Sequence, residues 1–150
     1  MRFPRLSMTK IDFYTHAENK LRTACVLSHK AMQAGVRTTL SFPDEEMLRA
    51  FDQLLWRYPP TGFVPHCRSE EVLAPNTPVL LHCGTAALPD HQLLISLHAN
   101  IVPFFSRFER VIELVGLDET DKQQGRSRYK FYRDRGYALQ NIELSKGARE

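Results

Sequence analysis

A chain of 150 residues is long enough for one compact domain that buries about 70% of the surface its unfolded form exposes. Its 43% apolar and 25% charged residues are the balance of a folded globular protein, which excludes fibrous and disordered classes. A formal net charge of +3 gives no support to nucleic-acid binding by the surface as a whole.

No apolar run approaches the roughly 20 residues that a membrane span needs. The first seven residues lack the apolar stretch of a signal peptide, and three cysteines (Cys25, Cys67, Cys83) are odd in number and widely spaced. A reduced, cytoplasmic protein is therefore expected rather than a disulfide framework. Met8 is available as an alternative start, so residues 1–7 read as a dispensable, disordered extension and residues 8–150 as a single domain.

Residues 10–14 alternate apolar and polar side chains and predict a first strand. Residues 17–34 carry small or apolar residues at Leu21, Ala24, Cys25, Ser28, Ala31 and Met32, a helical stripe closed by Gly35 where a left-handed cap belongs. A short β-branched run at 36–41 predicts a second strand. Pro43 and Asp44 open a second helix, with Met47, Leu48, Phe51, Leu54 and Leu55 at spacings of three and four. The Pro59-Pro60 pair stops it. Residues 63–66 are expected as a short strand, 67–77 as a loop, and 78–83, 93–97 and 111–115 as apolar strands. A closing helix spans 118–135, ended by Gly136. Strands alternating with amphipathic helices predict an α/β fold: a mostly parallel sheet flanked by helices, in one domain.

The usual chemistry of such folds has no signature here. A phosphate cradle needs closely spaced glycines so that backbone N–H groups can wrap the anion. Neither Thr15-His-Ala-Glu-Asn19 after the first strand nor Ser41-Phe-Pro-Asp44 after the second contains one. His66-Cys67 and His82-Cys83 do not read as zinc ligands, since adjacent strand residues face opposite ways. They read as two strand ends with one buried cysteine each. Asp118, Glu119 and Asp121 sit where carboxylates cap a helix and favour its positive end. No catalytic residue, metal or cofactor is expected, and neither ATP hydrolysis nor polymerisation.

The closing helix carries the strongest signal. Residues 122–135 hold six Lys or Arg against one carboxylate, Asp134, with three aromatics interleaved. At about 100° per residue, Lys122, Arg126, Tyr129, Lys130 and Arg133 share one arc of the helix. Cations around an aromatic platform suit an acidic, apolar-tipped peptide or a nucleic-acid strand; the plainer reading is a solvated basic helix whose tyrosines prop against the core.

Taken together, Leu54-Leu-Trp56, Pro59, Phe63-Val-Pro-His66, Pro78-Val, Asp90-x2-Leu93-Leu-Ile-Ser-Leu97, Phe108 and Arg126-x-Arg128-Tyr129-Lys130-x-Tyr132-Arg133-x2-Gly136 resemble the chi subunit of bacterial DNA polymerase III holoenzyme. The blocks cover about half of the chain, and Phe-Val-Pro-His and Arg-Tyr-Lys-x-Tyr-Arg are the specific ones. The resemblance implies a Rossmann-like domain without a nucleotide-binding loop or catalysis. It implies a one-to-one complex with the psi subunit, which tethers it to the clamp loader. It also implies binding to the acidic C-terminal tail of single-stranded DNA-binding protein during DNA replication, with weak or no direct DNA contact. Carried over, Arg126, Tyr129, Lys130 and Arg133 form the tail pocket, with Val115 and Lys122 beside it. Trp56 and Phe63 match positions near the psi contact, with core packing as the other role open to Trp56. The alternative from another class is a nucleic-acid-binding module that uses the same helix.

Overall fold

The computed structural model describes residues 8–57, 64–71, 73–84 and 92–144. Among these residues seven strands form one all-parallel sheet: β1 (Lys10–Ala17), β2 (Thr38–Phe42), β3 (His66–Arg68), β4 (Val79–Cys83), β5 (Leu93–Ser96), β6 (Arg110–Gly116) and β7 (Ala138–Glu143). Their spatial order is β3-β4-β2-β5-β6-β1-β7. Among the described residues three α-helices lie between strands: α1 (Lys20–Gln33), α2 (Glu45–Arg57) and α3 (Glu119–Asp134).

The sheet is covered on both faces, as a parallel sheet requires. One core holds Leu40, Phe42, Leu93, Ile95, Ile112 and Leu114 against Ala24, Cys25, Leu48, Phe51 and Leu55 of α1 and α2. The alternate residues, Ile11, Phe13, Leu94, Val111 and Val115, face Tyr132 of α3 and the aromatic segment Phe104, Phe105 and Phe108. The period-2 alternation of each strand thus divides its apolar residues between two cores.

Local signals account for most of the element ends. Asn19 caps α1 by accepting from Arg22 N, and Asp118 caps α3 by accepting from Asp121 N. Gly35 and Gly136 end α1 and α3 at φ 74° and 80°, a region where a Cβ is disfavoured. Several expectations need correction. The first strand runs on to Ala17, so α1 starts at Lys20 rather than 17. Of the expected strand at 63–66, the described residues place only His66 in β3; Pro65 before it has no N–H to give a ladder. The expected loop at 67–77 therefore contains strand residues Cys67 and Arg68, and a 3₁₀ turn at Ala74–Asn76. Cys67 and Cys83 are half-buried, not buried; Cys25 is the buried thiol. β7 is a strand that the sequence patterning does not predict. Residues 1–7, and Phe63 with the proline pair, lie outside the described residues.

A buried polar network fastens α3 to β6. Glu113 is fully buried in the middle of β6, and Arg128 is 3% exposed. Arg128 Nε donates to Glu113 Oε1 at 2.8 Å, and the Tyr132 hydroxyl donates to Oε2 at 2.6 Å. The other guanidinium nitrogens donate to Ala99 O at 2.8 Å and Leu114 O at 3.2 Å.

The cleft between α3 and the sheet

α3 approaches the sheet at the junction of β1 and β6. From β1 the chain crosses toward β2 on one side; from β6 it crosses over β1 toward β7 on the other. Where connections diverge in this way, the carboxyl ends of the strands leave a crevice. Here the crevice has a volume of about 620 Å³, lined by Phe13, Thr15 and His16 of β1, Val115 and Gly116 of β6, Asn141 of β7, and Lys122, Gly125, Arg126, Tyr129, Lys130 and Arg133 of α3.

Its floor is apolar. Phe13 and Val115 are buried, and the Tyr129 ring meets Phe13 edge to face with centroids 5.3 Å apart. Gly125 lets the helix come this close: a Cβ there would lie 2.7 Å from Val115 Cγ2, so a larger residue forces Val115 or α3 to shift.

Its rim is cationic. Lys122, Arg126, Lys130 and Arg133 all line it, and no carboxylate does among the described residues. The nearby acids hold these cations loosely. Arg126 Nη2 is 3.2 Å from Glu119, with the two side chains 64% and 72% exposed. Lys130 Nζ is 2.9 Å from Asp134, and Arg133 Nη2 is 3.4 Å from the same carboxylate. Hydrogen bonding from Lys130 holds the Asp134 carboxyl below its usual range. Exposed pairs of this kind contribute about 0–1 kcal/mol, so an incoming carboxylate can replace Glu119 or Asp134 at small cost.

The three acids at the start of α3 have separate roles rather than a shared capping one. Asp118 is the cap, and Glu119 meets Arg126. Asp121 is buried, accepting from Gly116 N–H and from Lys20 Nζ at 3.0 Å. Burial alone would raise its carboxyl, but the Gly116 and Lys20 hydrogen bonds outweigh this and hold it below the ordinary value.

The cleft brings together Val115, Lys122, Arg126, Tyr129, Lys130 and Arg133, and adds Phe13, Thr15, His16, Gly116, Gly125 and Asn141, which pattern reading did not single out. Only Gly125 left a trace in the sequence, as a glycine inside a helical segment. Trp56 lies elsewhere, at the end of α2, and is 60% exposed. Its ring rests on His66, centroids 5.1 Å apart. His66 is held in turn by Asp52 Oδ1 at 2.9 Å and Val64 O at 2.6 Å. No group of three or more metal-ligating side chains occurs among the described residues, and no described helix is long and apolar enough to cross a membrane.

The family model for the DNA polymerase III chi subunit, HolC, matches residues 8–140. The chain is 34% identical over 141 residues to DNA polymerase III subunit chi of Pseudomonas aeruginosa, covering 91% of this chain and 98% of that one. It is 33% identical over 133 residues to the Haemophilus influenzae subunit, covering 85% and 92%. Against the Escherichia coli K12 subunit it is 29% identical over 116 residues, covering 77% and 79%. Matched over most of its length in this way, the chain belongs to the DNA polymerase III chi subunit family.

Proposed function

We propose that the chain is a non-catalytic accessory subunit of DNA polymerase III that links the clamp-loader assembly, through psi, to the acidic C-terminal tail of single-stranded DNA-binding protein. The observation that carries this reading is the cleft, where an apolar floor lies beneath four cations with no carboxylate among the described lining residues. That combination fits a peptide terminus in which an apolar last residue enters the floor while its carboxylate and the acids before it meet the rim. Arg126, with a bidentate fork, grips the terminal carboxylate. Lys130 and Arg133 face the preceding acids, Lys122 closes the rim, and Tyr129 and Val115 wall the apolar side chain.

The deciding experiment is a calorimetric titration with a peptide of several Asp or Glu residues followed by an apolar C-terminal residue. Arg126→Ala and Lys130→Ala should each weaken binding by roughly tenfold, about 1.4 kcal/mol. C-terminal amidation should weaken it comparably, and added salt further. Equal binding by the amide, or equal competition by a plain oligonucleotide, would overturn the assignment in favour of a nucleic-acid module.

For psi, support comes from the exposed Trp56 held on His66, since aromatic side chains bury about 150–250 Å² at an interface. Phe63 is assigned to the same contact by resemblance and lies outside the described residues. Trp56→Ala should lower psi affinity in a pull-down or titration while leaving the thermal unfolding midpoint of the free chain nearly unchanged. A large fall in that midpoint would return Trp56 to a structural role.

A further inference from the structure

The end of β1 carries an irregularity that faces the cleft. From Tyr14 to Ala17, β1 advances three residues while β6 advances two, from Leu114 to Gly116. The extra residue forms a bulge, a feature that re-aims side chains. Within it His16 has φ 65°, the one positive φ at a non-glycine position among the described residues. Such a conformation is uncommon outside glycine and is concentrated at functional sites. In a regular strand Thr15 and His16 would face opposite sides of the sheet, yet both line the cleft. The bulge turns the imidazole into it.

We propose that His16 is a ligand-binding residue of the acidic-peptide cleft, receiving a ligand carboxylate as imidazolium and coupling binding to fractional proton uptake at this one site. The inference rests on the peptide-binding reading above and deepens it. Polar or charged groups from three elements contact His16 or line the cleft with it. On β1, Nδ1 is 3.1 Å from Thr15 Oγ1. On β7, Nε2 is 3.5 Å from Glu143 Oε2, with Asn141 also lining the cleft, and α3 supplies Lys122, Arg126, Lys130 and Arg133. Without a ligand, the carboxylate within ion-pair distance of the imidazole is that of Glu143. Glu143 is 71% exposed, so its hold on His16 is easily exchanged. An acidic ligand neutralises the α3 cations and offers the imidazole a carboxylate. Protonation and binding then favour each other, and by linkage affinity rises as pH falls through the imidazole range.

The test is calorimetric titration of the full chain with an N-acetylated peptide of three carboxylates and an apolar C-terminal residue, at about pH 5.5 and about pH 8. A further titration at about pH 6.5, in buffers of different ionisation enthalpy, counts protons. Wild type should bind roughly fivefold tighter at the lower pH, with net proton uptake. His16→Asn, which tolerates a positive φ, should bind with little pH dependence and no uptake. Glu143→Gln removes the competing carboxylate and should enlarge the pH dependence, an independent check if the bulge rejects asparagine. Equal pH dependence in wild type and His16→Asn, or binding without proton uptake, overturns the role of His16 and leaves the peptide cleft standing. Absence of binding by wild type at either pH overturns both.

Discussion

Replacing Arg128 by methionine should destabilise the folded chain by about 3–5 kcal/mol, measured by urea unfolding at neutral pH. The guanidinium is 3% exposed and its partner Glu113 is fully buried. Burial pushes the Glu113 carboxyl up from its ordinary value, while the charge of Arg128 and the Tyr132 hydroxyl work against that. Removing Arg128 leaves the carboxylate with one donor in an apolar setting and removes the hydrogen bonds to the carbonyls of Ala99 and Leu114. A group whose folded pKa is raised favours the fold when protonated and loses that contribution as pH rises through the folded value. The deficit of Arg128→Met should therefore be largest at neutral pH and narrow on acidification. The double variant Arg128→Met/Glu113→Leu should recover part of the loss, because an apolar pair of similar volume often substitutes for a buried ion pair. A deficit below about 1 kcal/mol for the single variant would mean that the pair contributes little to holding α3 on β6.

Asp121→Ala should cost about 1–3 kcal/mol. Its carboxylate accepts the Gly116 N–H at the end of β6 and the Lys20 ammonium of α1, so it joins three elements where the cleft begins. The pH dependence has the opposite sign to that of Glu113. The Asp121 carboxyl sits below its ordinary value of 3.8 in the folded chain. Its contribution is fully present above that value and is lost as pH falls through the lower, folded one. The gap between wild type and Asp121→Ala should thus be constant near neutrality and narrow as pH falls below that ordinary value. Asp121→Asn keeps an acceptor for Gly116 but loses the charge, and should fall between the two. A gap that persists unchanged in strong acid would show that the carboxylate charge is not what stabilises this corner.

Both residues show how far periodicity reads. The helical wheel puts Lys122, Arg126, Tyr129, Lys130 and Arg133 on one arc and leaves Arg128 off it. The structure places those five on the cleft and Arg128 in the core. The wheel could not say what the other side of α3 meets. Glu113 reads in sequence as a carboxylate stranded in the apolar run of β6, and only the seating of α3 over β6 pairs it. His16 gave no local signal, because its orientation comes from a bulge defined by the register between β1 and β6.

The order of elements, the parallel α/β class, the helix caps and the basic face of α3 all follow from local chemistry: apolar spacing, β-branching, glycine at positive φ and the bar proline sets on a helix. These depend on residues a few positions apart, which the sequence displays directly. β7 belongs to the other kind. Ala138-Leu-Gln-Asn-Ile-Glu143 has no β-branched run and no clean alternation, and it becomes a strand because β1 offers it an unpaired edge for six residues. The cleft, the burial of Arg128 and the exposure of Trp56 were likewise decided by the tertiary structure. Each depends on which surfaces meet across many residues of chain, and a close approach such as Gly125 on Val115 exists only once both elements are in place.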